Sequence, residues 1–349
     1  MERGVRFAIR GGGHSLNAGA ANIESEVTIN LRALNKVAVN RKQTLVSIGG
    51  GARWGEVYSV VDATSGGRVA DVGVGGLTTG GGISFFSARE GLVCDNVKNY
   101  EVVLADGSIV NANCSENRNL WQALKDRSNN FGVVTRFDIR TFPQENFFGG
   151  CIVHDISILD SQLKGSADFL ENSDPYAATM MSISRNQKRN GYSIFSNLEY
   201  TKNEPSPKTL KPFLDAKPQY LNIMRISNLA DFATEAGKYA ASGLWISSNR
   251  PFNLEIEHSF HLLHHWCEMG HDNPTSSDYC SGSMRGSHLS WPLIFIRSSY
   301  FISPFLQLKN IEDDEKITMA ARKLISDIDE AASEKGVGSD FKYLNYAAR

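Results

Sequence analysis

Glycine clusters at residues 11–13, 49–51, 66–67, 73–76 and 80–82, while the stretch after Gly150 is ordinary in composition. Without a Cβ, a glycine run lets backbone N–H groups come close to a ligand or to another backbone, and such amides can line a concave nest for a phosphate. The asymmetry suggests a domain boundary near residue 150. With 349 residues and 41% hydrophobic content, the chain is long enough for two domains with buried cores.

Between the glycine clusters, β-branched runs at 5–9, 27–30, 44–48, 97–104, 109–111 and 133–140 read as strands. Residues 51–64 read as a helix, with Trp54, Val57, Tyr58 and Val61 at helical spacing, and 117–124 as a second. Asp106-Gly107 between two apolar runs predicts a hairpin closed by a type I′ turn. Beyond residue 150, strands are expected at 180–184, 192–200, 225–227 and 254–259, and helices at 160–171, 229–237 and 313–334. The expectation is an α+β chain whose second part is an antiparallel sheet covered by helices.

A net charge of −2 gives no global reason to expect nucleic acid or an anionic membrane surface as a partner. No apolar run approaches a membrane span, and Met-Glu-Arg-Gly-Val-Arg lacks the apolar stretch of a secretory signal. Five scattered cysteines are too few for a disulfide framework and point to a reducing compartment. Residues 258–288 hold six of the eight histidines and two cysteines without either hydrophobic period. They contain no CxxC or HExxH pair, so no metal site is expected there.

The strand ending at Arg10 runs directly into Gly11, Gly12, Gly13, His14 and Ser15. Alone, this is a weak signal, because a flexible turn explains an isolated triplet and the spacing is neither a dinucleotide fingerprint nor a Walker loop. A second loop, 72–83, carries six glycines among twelve residues and is flanked by strand-like sequence rather than by linker. Two such loops in one chain suit a long dinucleotide such as FAD, which needs close backbone approach at several points.

In order along the chain, RGGGHS, NAGAANI, VGVGGLTTGGG, GLVCDNV, VVLADGSIV, NLWQAL and NNFGVVTRFDIRTFP resemble the fungal berberine-bridge-enzyme-like FAD-linked oxidoreductases of the vanillyl-alcohol-oxidase superfamily. FKYLNYA near the C-terminus resembles the last strand of their substrate domain. The resemblance implies a p-cresol-methylhydroxylase-type FAD-binding domain over 1–145 and a substrate-binding domain over 146–349, with an atypical insert at about 258–295. It implies FAD contacts from Arg10, Gly11, Gly12, Gly13, His14 and Ser15, with His14 bonded to the flavin 8-methyl carbon. From the second loop it implies Val72, Gly73, Gly75, Gly76, Thr79, Gly80 and Gly82.

Asp95 and Asn96 resemble a family pair near the cofactor, with a plain turn as an equal alternative for Asp95. Gly132 and Val133 resemble the backbone edge that meets the adenosine half. Some relatives add a cysteinyl link at the position held here by Val69, so no second link is expected. Tyr346 and Tyr343 are the candidate catalytic bases; strand side chains alternate, so only one can face the flavin, and a buried structural tyrosine is the alternative for each. The activity implied is an oxidase that passes hydride from a small-molecule substrate, a secondary metabolite, alcohol or sugar, to the flavin, with molecular oxygen as acceptor.

Relatives carry a strand and helix before the RGGGH strand and a helix and strand after the last one. They have glycines where this chain has Lys125-Asp126-Arg127-Ser128-Asn129-Asn130. The second expectation is therefore a clipped, non-catalytic remnant that holds no FAD.

Overall fold

The computed structural model describes residues 5–15, 19–125, 127–172, 174–186, 191–239, 244–247, 250–253, 289–296, 299–302 and 305–308, together with Met319, Lys323, Ser326, Glu330, Ser333 and Glu334. The chain forms two compact units. The first comprises Met1–Gly149, Glu199–Pro205 and Arg225–Ala241; the second comprises Gly150–Leu198, Ser206–Met224 and Ser242–Arg349.

In the first unit, strands β1 (Phe7–Arg10) and β2 (Val27–Asn30) pair in parallel. Strands β3 (Val37–Val39), β4 (Leu45–Gly49), β5 (Val97–Val103), β6 (Ile109–Asn113) and β7 (Val133–Arg140) form an antiparallel sheet in the order β3-β4-β7-β5-β6. The period-two pattern sets its faces. Val46 and Ile48 of β4, Tyr100 and Val102 of β5, and Phe137 and Ile139 of β7 are buried in one core with Trp54, Phe86, Phe147 and Phe232. Ser47, Asn99, Asn111 and Asp138 share the other face, joined by hydrogen bonds of 2.6–3.0 Å. A register shift opposite Glu101 and Val102 leaves Thr135 of β7 without a partner residue, which switches the buried positions from Val134 to Phe137.

The helix expected over 51–64 is much shorter: α1 spans Trp54–Tyr58. Glu56 starts it by accepting the Arg53 N–H (2.7 Å) while Arg32 grips the same carboxylate at 2.7 and 3.0 Å. Tertiary pairing ends it. Val60 and Val61 still bond back to Val57 O, but Ala63 gives its carbonyl to the Phe142 N–H (2.8 Å) and Thr64 bridges Thr141, so the backbone at 63–64 is claimed by the chain after β7. The second glycine loop holds a helix that its composition conceals, α2 (Val74–Thr79), followed by α3 (Ser87–Glu90); α4 spans Arg118–Ala123.

The β5–β6 hairpin forms as expected, but its turn is not type I′. Of Asp106 and Gly107 only Gly107 takes a positive φ, 85°. Gly107 N–H bonds to Leu104 O (3.0 Å) and Leu104 N–H to Ser108 O (2.9 Å), which is the longer, bulged hairpin turn. Asp106 accepts both the N–H (2.9 Å) and the hydroxyl (2.6 Å) of Ser108, an arrangement that holds it within the turn.

Strand β8 (Phe147–Asp155) crosses from the first unit to the second. In the second unit, α5 (Leu159–Glu171) buries Leu159, Gln162, Leu163, Ser166 and Ala167 at helical spacing, and Phe169 packs edge-on to Phe213 of α6 (Lys211–Leu214). The hairpin β9 (Ala177–Asn186) and β10 (Gly191–Tyr200) joins β11 (Gln219–Asn222) through β8. Strand β12 (Arg225–Ser227) and helix α7 (Leu229–Tyr239) return to the first unit. Strands β13 (Leu244–Ser247), β14 (Arg250–Asn253), β15 (Leu289–Ile296), β16 (Ser299–Ile302) and β17 (Phe305–Leu308) complete an antiparallel sheet in which β15 pairs β9. The strand expected at 254–259 and the histidine-rich segment lie outside the described residues. Among the described residues, no helix is long and apolar enough to cross a membrane.

Candidate cofactor site

The first glycine loop leaves the end of β1, where Arg10 O accepts the Leu31 N–H at 2.8 Å. Gly13 has φ of 70°, and the Arg10 guanidinium folds back over it, reaching Asn22 Oδ1 at 3.3 Å. His14 and Ser15 follow on the surface, both exposed. The second loop is pinned at its start by Trp54 N–H to Val72 O (3.0 Å) and Val74 N–H to Ala52 O (2.9 Å).

These two loops, 61 residues apart at Gly12 and Gly73, are in direct backbone contact. A Cβ on either glycine would collide with the backbone of the other. A third glycine segment joins them: the Gly50 carbonyl would lie 3.2 Å from a Cβ on Gly11 and 2.9 Å from one on Gly75. Gly50 N–H is anchored on Thr135 O of β7 at 2.8 Å. The cluster at 49–51 is visible in the sequence, but nothing in its pattern indicates that it lies between the other two.

The sequence-predicted residues divide by exposure. Arg10, Gly13, His14, Ser15, Gly76 and Asp95 are exposed, and Gly11, Gly12, Val72, Gly75, Gly132 and Val133 are half-buried. Gly73, Thr79, Gly80, Gly82 and Asn96 are buried. The Thr79 hydroxyl donates to Gly75 O at 3.0 Å, within its own helix. The open edge of the second loop is therefore its Gly75–Gly76 side, and a Cβ on Gly76 would meet nothing within 4 Å.

Asp95 and Asn96 both serve the local turn. Asp95 accepts the Leu92 N–H at 2.9 Å, and Asn96 donates to the carbonyls of Glu90 and Leu92, both at 3.0 Å. Gly132, with φ of 140°, lets β7 approach β5, since a Cβ there would lie 2.7 Å from Val103 O. Val69 is half-buried, and Cys94 is a buried free thiol. Tyr343 and Tyr346 lie outside the described residues. Among the described residues, no group of His, Cys, Asp and Glu could hold a metal ion.

Gly12 and Gly73 tolerate nothing larger than hydrogen where the loops meet, and the junction of three glycine segments leaves Gly76 and His14 exposed, a bare backbone surface that suits a dinucleotide. The FAD binding domain family matches residues 1–113. The chain belongs to the FAD-linked oxidoreductases with a p-cresol-methylhydroxylase-type FAD-binding domain.

It is 33% identical to the FAD-dependent monooxygenase sdcF of Emericella nidulans, over 98% of this chain and 76% of that protein. It is 32% identical to the FAD-dependent monooxygenase tpcD of Cochliobolus heterostrophus, over 98% of this chain and 72% of that protein. Its fold is shared with 6-hydroxy-D-nicotine oxidase from Arthrobacter nicotinovorans, with a TM-score of 0.81 at 17% identity over 99% of this chain and 79% of that one. Berberine bridge enzyme in complex with (S)-reticuline matches with a TM-score of 0.72 at 15% identity, over 98% of this chain and 73% of that one.

Proposed function

We propose that this chain is an FAD-linked oxidase whose flavin is held covalently by His14 and which removes two electrons from a small-molecule substrate. The observation that carries the proposal is the contact of Gly12 with Gly73, which puts both glycine loops at one place with His14 exposed two residues away. The backbones of Gly11, Gly12, Gly75 and Gly76 and the Arg10 and Ser15 side chains would hold the pyrophosphate, and the His14 imidazole would bond the ring. When bound, the flavin would supply a two-electron acceptor for a substrate C–H bond, with molecular oxygen as the final acceptor and hydrogen peroxide as its product. The protein binds and orients these groups, and a base takes the proton from the substrate hydroxyl or amine; Tyr343 and Tyr346 are the candidates.

The proposal is tested by denaturing the purified protein and passing it over a desalting column. A yellow protein fraction with a flavin mass adduct on the peptide containing His14, lost in His14→Ala, supports it. A colourless protein with no adduct overturns the covalent reading. If FAD added to the folded protein also fails to bind, the non-catalytic remnant stands in its place. The names of the curated relatives favour a second reading, in which one atom of molecular oxygen enters the substrate. Heavy-oxygen gas separates the two: label in the product indicates the monooxygenase, and label in hydrogen peroxide alone indicates the oxidase.

A further inference from the structure

The arm of the second glycine loop that follows α2 is buried, and a small set of side chains behind it fixes its place. Gly81 and Gly82 take φ of 94° and 81°. Their carbonyls accept the N–H groups of Cys94 (2.9 Å) and Val93 (2.8 Å). The N–H groups of Gly80 and Gly81 bond in turn to Gly76 O (3.1 Å) and Thr78 O (3.3 Å). A displacement of this arm is therefore passed through α2 to its open edge at Gly75 and Gly76.

The short 3-10 helix Val93–Asn96, which meets the arm, is held by the exposed Asp95, which accepts the Leu92 N–H, and by the buried Asn96. Asn96 is 2% exposed and uses both N–H bonds of its amide on Glu90 O and Leu92 O. That leaves its buried Oδ1 needing a donor, which Arg140 supplies at 2.9 Å. The same guanidinium pairs with the Glu90 carboxylate, whose side chain is 13% exposed, and lies 5.5 Å from the centre of the Phe142 ring. Arg140 is the last residue of β7, a strand paired on both sides, so it ties the arm to the central strand of the five-stranded sheet.

We propose that Arg140, acting through Asn96 and Glu90, is a positioning residue for the flavin: it sets the Gly80–Gly82 arm and thereby the backbone edge at Gly75 and Gly76. This rests on the flavin reading above. Both contacts leave one guanidinium nitrogen, Nη2, while the planar group as a whole stands over the Phe142 ring. Arg140→Lys keeps a charged donor nitrogen and loses the planar group.

The experiment uses the full chain in a His14→Ala background, where FAD binding stays reversible. Arg140→Met and Asn96→Ala are expected to bind added FAD about tenfold more weakly than their parent, the loss that one displaced hydrogen bond of ordinary strength produces. Arg140→Lys should fall between. The visible circular dichroism of the bound flavin should change, and the Val93 and Cys94 amides should exchange faster with solvent. Ser47→Ala, which removes a 2.6 Å bond to Asp138, a β7 residue that contacts neither Asn96 nor Glu90, should lower Tm without moving any of these readouts. A folded Arg140→Met, or Arg140→Lys if the first does not fold, with parental affinity, spectrum and amide exchange overturns the proposal. A parent that takes up no FAD overturns the flavin reading instead, and amide exchange in the same variants still decides whether Arg140 sets the arm.

Discussion

Gly12 and Gly73 meet backbone to backbone, with no room for a Cβ on either, and this single contact brings together two loops that are far apart in the chain. Gly12→Ala or Gly73→Ala is expected to force the loops apart, at a cost of at least about 1–3 kcal/mol for overpacking a closed contact. Thermal melts should show the loss. Gly76→Ala is the matched comparison, because its Cβ would enter open space. It should keep or raise the parental Tm, since alanine suits α2 better than glycine, while weakening FAD binding, and a wild-type FAD affinity in Gly76→Ala would show that this edge does not meet the cofactor.

Ser128 holds φ of 59°, a left-handed conformation that favours glycine, and donates its N–H to Thr79 O at 2.9 Å. Ser128→Gly should keep this bond and relieve the backbone, stabilising the protein by roughly 1 kcal/mol. Denaturant unfolding would measure it, and a lower midpoint would refute the expectation.

Glu199 is a fully buried carboxylic acid whose pKa is pushed from 4.5 up to about 8. Burial is the larger cause and Glu235 adds to it, while Arg68 opposes both. Glu235 is itself paired with Arg225 at 2.6 Å. The folded protein keeps this proton where the unfolded chain has released it, so the contribution of Glu199 to stability is full below pH 4.5 and is lost as pH rises through about 8. Tm should therefore fall between these limits. Glu199→Gln, neutral at every pH, should flatten that slope and raise Tm above pH 8; an unchanged profile would remove Glu199 as its source.

His14 is exposed, so replacing it should leave the fold intact and change only the flavin attachment. His14→Ala is expected to melt within about 0.5 kcal/mol of wild type and to release its flavin on denaturation. A variant that loses its flavin only together with its fold would assign His14 a structural part.

Much of the fold is legible in the chain because local periodicity writes it there. Alternation along β4, β5 and β7 and the helical spacing on α5 and α7 are properties of short windows, and the structure places these elements close to where the sequence does. Helical spacing over 51–64 overextends α1 because Ala63 and Thr64 pair with Phe142 and Thr141, about eighty residues away, which local spacing cannot register. Helix α2 was hidden because glycine opposes helix formation in isolation, while packing at the loop junction imposes it here.

The sequence by itself determined the FAD-binding family and the presence of several glycine segments in its first half, since the absence of Cβ atoms is a property of composition. Only the tertiary structure decided which glycines face each other, which face solvent, and which hold the site from behind. Gly12 against Gly73, Gly76 in open space, and Gly82 packed beneath Val93 carry the same residue type and differ only in what the rest of the chain brings next to them.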